Sequence, residues 1–144
     1  MTTKTAPLPI EALLPQLRQG LGDRIRLVLQ AEPGAGKTTE APLALLQEPW
    51  LGNRQIWLLE PRRLAAAGAA RRLASNLGDA ELGQRVGLVT RDQKISSAHT
   101  QIVVMTEGIL TQRIQADPEL SEAGLIILDE FHERSLQADL ALAL

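Results

Sequence analysis

A lysine and a threonine, Lys37 and Thr38, stand at the end of a glycine-rich loop. The loop, residues 31–38, reads AEPGAGKT and follows the apolar run at 27–29. Glycines let consecutive backbone N–H groups turn toward one anion, and the positive end of a following helix adds to that attraction. A lysine in this place can reach nucleotide phosphates, and a threonine hydroxyl suits a Mg²⁺ ligand. The spacing therefore predicts a nucleotide-phosphate site.

The loop departs from the strict pattern G-x-x-x-x-G-K-[ST] in one place, because Ala31 stands where the pattern has glycine. An ordinary glycine turn between a strand and a helix is the alternative interpretation of residues 31–38.

Two adjacent carboxylates, Asp129 and Glu130, directly follow the apolar residues 125–128. A carboxylate at a strand end can hold Mg²⁺ through its water shell, and an adjacent carboxylate can orient and deprotonate an attacking water. The alternative is a pair of acids that precedes the last helix, where negative charge is also stabilised. The lysine loop earlier in the chain favours the first interpretation.

Strand-like and helix-like segments alternate along the chain, which predicts a parallel sheet with helices on both faces. We expect strands at 26–30, 55–59, 86–89, 102–105 and 125–128, a polar stretch at 91–100, and helices at 10–21, 37–47, 62–77, 109–115 and after Ser135. Helical spacing places one apolar face on the helix at 62–77, formed by Ala66, Ala69, Ala70, Leu73 and Leu77. Four polar clusters follow strand ends: 31–38, 60–63, 106–108 and 129–130. Because ligands of such sheets bind outside the carboxyl ends of the strands, we expect these clusters to converge on one edge.

The composition narrows the possible classes of protein. The chain has 144 residues, which is enough for one domain with a real core, and 44% of them are apolar. It has no cysteine and two histidines, which excludes disulfides and thiolate sites and disfavours a histidine-rich metal centre. With a net charge of −2, nucleic-acid binding must come from local basic patches. We see neither a membrane span nor a secretory signal, and expect a cytoplasmic protein.

Several ordered motifs resemble those of the DEAH/DExH-box helicases of superfamily 2. DEFH at 129–132 resembles their D-E-x-H motif, and PRRLAA at 61–66 resembles motif Ia. TEGIL at 106–110 resembles motif Ib, and VGLVTR at 86–91 is similar to their V-G-Y-x-x-R segment. The continuation FHERSLQADL at 131–140 is most similar to the bacterial HrpB-type ATP-dependent RNA helicases.

The resemblance implies a P-loop NTPase fold, a RecA-like parallel sheet with helices on both faces. It divides the chain into an N-terminal extension with a leading helix at 1–22 and a partial first RecA-like ATP-binding domain at 23–144. Ala31 is common in this family, and the D-E-x-H motif tolerates Phe131 in place of alanine. Neither departure counts against the assignment.

The resemblance also implies a role for each matching residue of the ATP site. Asp129 would hold Mg²⁺ together with Thr38, Glu130 would activate the attacking water, and Lys37 would act on the transferred phosphate. His132 would couple the nucleotide site to the nucleic-acid side. The phosphates of ATP would be bound by Gly34, Ala35, Gly36, Lys37, Thr38 and Thr39.

On the nucleic-acid side, the resemblance implies that Arg62, Arg63 and Thr106 contact the backbone of single-stranded or structured RNA without reading its sequence. Positive charge at a helix start opposes the helix dipole, which favours an anionic partner over the alternative of solvated surface charge. Arg91 is left open between an RNA contact and an ion pair. Trp57 lies within an apolar strand, which favours core packing over base stacking.

Full members of this family continue into a Ser-Ala-Thr motif and a second RecA-like domain whose arginines complete the ATP site. We therefore expect the chain to be an N-terminal fragment of an ATP-hydrolysing RNA helicase, inactive alone because its second domain is missing in cis. The alternative is a module that binds nucleotide or RNA without turnover. A GTPase or a small-molecule kinase is disfavoured, because no N-K-x-D signature occurs and Arg62 and Arg63 would be unexplained.

Overall fold

A computed structural model describes residues 37–128 together with Pro15 and Gln19, which are both helical. Its helices are α1 (Lys37–Leu45), α2 (Arg63–Asn76) and α3 (Glu107–Ala116), with a 3-10 helix at Pro49–Leu51. Its strands are β1 (Gln55–Glu60), β2 (Val86–Val89), β3 (Lys94–Ile95), β4 (Ile102–Thr106) and β5 (Ala123–Leu128). The predicted strand at 26–30, most of the predicted leading helix and the last predicted helix lie outside the described residues.

The described strands form one sheet in the order β3-β2-β4-β1-β5. β2, β4, β1 and β5 are parallel, as predicted, while β3 pairs with β2 in antiparallel register. The sequence predicts no strand in the polar stretch at 91–100, where this edge strand lies. A two-residue strand carries too little apolar pattern to be seen, and β3 depends on a turn in which the Thr90 N–H donates to the Gln93 carbonyl.

One face of the sheet is covered by α1 and α2. The predicted apolar face of α2 is confirmed, since Ala66, Ala69, Ala70 and Leu73 are fully buried. They pack in one cluster with alternate residues of the strands, among them Leu58 of β1. Alanine has only a Cβ, so these side chains let the helix lie close to the sheet.

The other face is covered by α3, so helices lie on both faces of the described sheet, as predicted. Trp57, Leu59 and Met105 are buried there against the helix, which confirms core packing for Trp57. The Arg113 guanidinium lies 4.7 Å from the centre of the Trp57 ring, within cation–π range. Burial lowers the pKa of Arg113, and the nearby charge of Glu122 opposes that shift.

Gly87 of β2 lies against β3, the strand that pairs with β2 in antiparallel register. A Cβ added to it would lie 2.7 Å from the Ile95 carbonyl oxygen, a backbone atom that cannot rotate away. Gly87→Ala should therefore lower the free energy of unfolding by roughly 1–3 kcal/mol, the usual cost of overpacking, as measured by urea denaturation.

Gly68→Ala is the matched control for this substitution. Gly68 lies inside α2 with nothing within 4 Å of an added Cβ, so alanine there should raise the stability by about 0.4–1 kcal/mol. A Gly87→Ala variant as stable as wild type would contradict the close approach of β3 to β2.

Asp79 joins the end of α2 to the start of β2. Its Oδ1 lies 2.8 Å from Nη2 of Arg85, and its Oδ2 accepts the Arg85 backbone N–H at 3.2 Å. Arg85 also donates to the Leu77 carbonyl oxygen, just beyond the helix. The hydrogen bond from the Arg85 side chain holds the pKa of Asp79 below its ordinary value of 3.8.

Asp79 should make stability depend on pH. Because its folded-state pKa is below its unfolded-state value, its contribution is fully present above pH 3.8 and is lost as the pH falls through the folded-state value. Asp79→Asn should lower the melting temperature at neutral pH by an amount that shrinks under acid conditions. Glu81→Gln, an exposed acid in the same loop, is the control. An equal deficit at all pH values would contradict the linkage.

Candidate functional site

The carboxyl ends of β1 and β4 lie side by side, since Glu60 and Thr106, their last residues, are register partners. β5 pairs with the other side of β1, with Leu59 opposite Leu128. The last described residue of β5 therefore lies beside the end of β1, and the predicted clusters at 60–63 and 106–108 do share one edge. The cluster at 129–130 follows Leu128 in sequence but lies outside the described residues.

The first residue of α1 is Lys37, the predicted phosphate-binding lysine. The end of α1 leads through the 3-10 helix to Leu51, which lies against Gly124 near the start of β5. The end of α1 is thereby connected to the amino edge of the sheet, and its nine residues span roughly 13 Å.

The start of α1 is suited to a phosphate group. The first N–H groups of a helix have no acceptor within the helix, and they form the positive end of its dipole. Lys37, Thr38 and Thr39 are helical, and Thr39 is half-buried. The side chains of Lys37 and Thr38 are outside what the structure describes.

Two other helices begin at the carboxyl edge of the sheet, and within the described chain neither has a side-chain cap. Thr106 precedes α3 in an extended conformation, yet its hydroxyl makes no capping hydrogen bond, although threonine is a favoured capping residue. Arg62 occupies the same position before α2, which has no acidic residue in its first turn. The backbone donors at both starts are therefore suited to an external anion.

Arg62 and Arg63 are both exposed at the start of α2, as the sequence predicts. A cation there is opposed by the dipole of the helix, and an anion bound beside it removes that conflict. Arg63 is not isolated, because its guanidinium forms an ion pair with Asp92 in the turn between β2 and β3. The sequence left open whether Arg91 forms an ion pair in this turn. In the structure its neighbour Asp92 forms one, with Arg63.

Glu60, the last residue of β1, is only 3% exposed. Strand alternation places it on the face of Ile56 and Leu58, which is the face that α1 and α2 cover. Sequence reasoning treated Glu60 only as part of a polar cluster. The apolar residues that precede Glu60 in β1 could have indicated that Glu60 is buried, but the sequence does not show on which face of the sheet its side chain lies.

Several predicted site residues lie outside the described residues: Gly34, Ala35, Gly36, Asp129, Glu130 and His132. Between residues 37 and 128 no group of three acidic or histidine side chains is placed to hold a metal ion. The assignment of Mg²⁺ to Asp129 and Thr38 therefore stays a prediction. In the same part of the chain, no helix is long and apolar enough to cross a membrane.

The mostly parallel sheet with helices on both faces matches a RecA-like helicase domain. The sequence model of the DEAD/DEAH box helicase family matches residues 11–140, and the chain belongs to this family. The resemblance noted from the motifs is thereby confirmed.

Among individual proteins, the chain is 54% identical to the ATP-dependent RNA helicase HrpB of Escherichia coli K12 over 137 residues. That match covers 95% of this chain and 17% of HrpB. A crystal structure of the E. coli DExH-box NTPase HrpB superposes with a TM-score of 0.92 at 51% identity, covering 99% of this chain and 17% of that one. The probable ATP-dependent RNA helicase DHX40 of Homo sapiens is 35% identical over 140 residues, 97% of this chain and 18% of the relative.

Proposed function

We propose that the chain is the ATP-binding part of an ATP-dependent RNA helicase, in which RNA-stimulated ATP hydrolysis drives movement along a strand. The observation that supports this most directly is that two helices begin at adjacent strand ends on the carboxyl edge of the sheet, one after Arg62 and one after Thr106. A third helix begins at Lys37. The family and the names of the relatives support the same proposal.

At the nucleotide end, residues 34–39 bind the phosphates of ATP through backbone N–H groups, with Lys37 as the countercharge. Asp129 and Thr38 hold Mg²⁺, whose chemistry is to neutralise charge that develops on the phosphates. Glu130 orients the attacking water and accepts its proton.

At the nucleic-acid end, the helix starts after Arg62 and Thr106 bind consecutive backbone phosphates of RNA. Arg62 and Arg63 add charge, and none of these groups reads a base, so the mode is independent of sequence. Because β1 and β4 are neighbours, the two helices begin from adjacent strand ends, on opposite faces of the sheet. His132 couples this contact to the ATP site.

The second candidate is a nucleotide- or RNA-binding module without turnover. It is favoured by one observation, that the chain spans only 17% of the length of HrpB. The two candidates differ in whether this chain can support hydrolysis once the remaining parts of a helicase are supplied.

ATP hydrolysis should separate the two candidates. It would be measured, with and without single-stranded RNA, for the 144-residue chain and for a chimera in which the chain replaces the matching segment of E. coli HrpB. We expect RNA-stimulated hydrolysis only in the chimera, and Glu130→Gln should reduce it by about 10²–10⁴-fold, the usual contribution of a general base.

Two results would go against the helicase proposal. A folded chimera that binds ATP but never hydrolyses it would favour the binding module. Full turnover in the Glu130→Gln chimera would remove Glu130 from the mechanism.

A further inference from the structure

The ion pair between Arg63 and Asp92 joins two elements that are separate in sequence. Arg63 is the first residue of α2, while Asp92 lies in the turn between β2 and β3. The side chains are 63% and 61% exposed, so both are open to solvent and to a ligand. Asp92 is also the one acid in the stretch 90–95, where Arg91 and Lys94 are basic.

We propose that Asp92 competes with RNA phosphate for the guanidinium of Arg63 and so sets the affinity of the α2 start for nucleic acid. The inference rests on the proposed function, because it takes Arg63 to be a phosphate contact. Asp92 is then an affinity-determining residue that acts through Arg63 and does not itself touch RNA.

The competition follows from the geometry of the groups. A guanidinium presents a planar fork of donors that fits two oxygens of either a carboxylate or a phosphate. Nη1 of Arg63 donates to Oδ2 of Asp92. A phosphate that takes the pair of donors containing Nη1 must therefore displace Asp92.

The exposure of the pair limits its effect to a modest one. Exposed ion pairs are weak, because water and salt screen the attraction and two side chains lose freedom. RNA can displace such a pair, and freeing Arg63 in advance should tighten binding by about two- to fivefold. A buried pair at this place would instead block the site.

Removing Asp92 has a second effect, which must be separated from the first. The loss of one negative charge near RNA strengthens binding in general, whether or not Arg63 is released. The general effect does not need Arg63, whereas release of the guanidinium does. A double-mutant cycle on the two residues therefore isolates the competition.

The experiment measures the Kd of a short labelled oligouridylate by fluorescence anisotropy at low salt. Its four proteins are the 144-residue chain, Asp92→Asn, Arg63→Ala and the double variant. We expect Asp92→Asn to tighten binding about two- to fivefold when Arg63 is present, and clearly less when Arg63 is alanine. Asp92→Glu keeps the carboxylate and should bind like the unchanged chain.

The same gain in both backgrounds would overturn the inference, because Asp92 would then act only as a general negative charge. No gain from Asp92→Asn would overturn it as well. If Arg63→Ala itself leaves RNA affinity unchanged, the phosphate contact of the proposed function fails, and the inference fails with it. Melting curves of all variants show whether each one is folded, and Glu81→Gln is the control for a remote loss of charge.

Discussion

Replacing Lys37 by alanine should strongly weaken nucleotide binding. Lys37 is the first residue of α1, where the backbone N–H groups have no acceptor within the helix. No other side chain in the loop at 31–38 carries a positive charge. Losing a charge-assisted hydrogen bond costs about 1.5–3 kcal/mol, so we expect an affinity loss of roughly 10- to 100-fold or more for Mg²⁺-ADP by calorimetry.

Two control variants keep this prediction specific. Lys94→Ala removes an exposed lysine from β3, the edge strand of the sheet, and should leave nucleotide affinity unchanged. Glu130→Gln should also bind nucleotide normally, because we assign it to water activation. Retained affinity in folded Lys37→Ala would rule out the phosphate-binding interpretation of residues 31–38.

Replacing both Arg62 and Arg63 by alanine should weaken RNA binding about tenfold or more at low salt. Binding releases fewer counterions when a phosphate contact is lost. The salt dependence of log K should therefore become less steep by about one unit per lost contact. Fluorescence anisotropy with labelled single-stranded RNA over a salt series measures both quantities. Nucleotide affinity should be unchanged, since these side chains are not assigned to the phosphate loop.

The matched control lies in the same helix. Arg71 and Arg72 are also adjacent and exposed, but they lie about two turns further along α2, away from the edge. Their replacement by alanine removes the same charge and should change the salt slope little. An equal loss in both double variants would show that the total charge matters, and not the placement of Arg62 and Arg63 at the helix start.

Much of this architecture was accessible from the sequence because its strands are short apolar runs between turn residues. β1, β2, β4 and β5 were predicted within two residues of their ends. The alanine face of α2 was predicted from helical spacing alone. These features depend on local pattern, because the buried positions of a strand or a helix repeat with the period of the element itself.

Other features depend on partners that are distant along the chain. The pairing of Asp92 with Arg63 has no local signal, since one charged residue in a turn gives no indication of which cation it will meet. The same holds for β3, which exists because a turn brings two residues back to β2. Gly87 is required by that return, because the Ile95 carbonyl oxygen occupies the place of its Cβ.

The sequence by itself therefore determined the class of protein and the set of residues that the proposal uses, because phosphate loops, paired carboxylates and arginines at helix starts are short local patterns. The tertiary structure alone decided the order of the strands, and with it which residues meet. Parallel register makes Glu60 and Thr106 neighbours, and the packing of α2 brings Arg63 to Asp92. Such proximity depends on how the whole sheet buries its two faces, which no single stretch of the chain specifies.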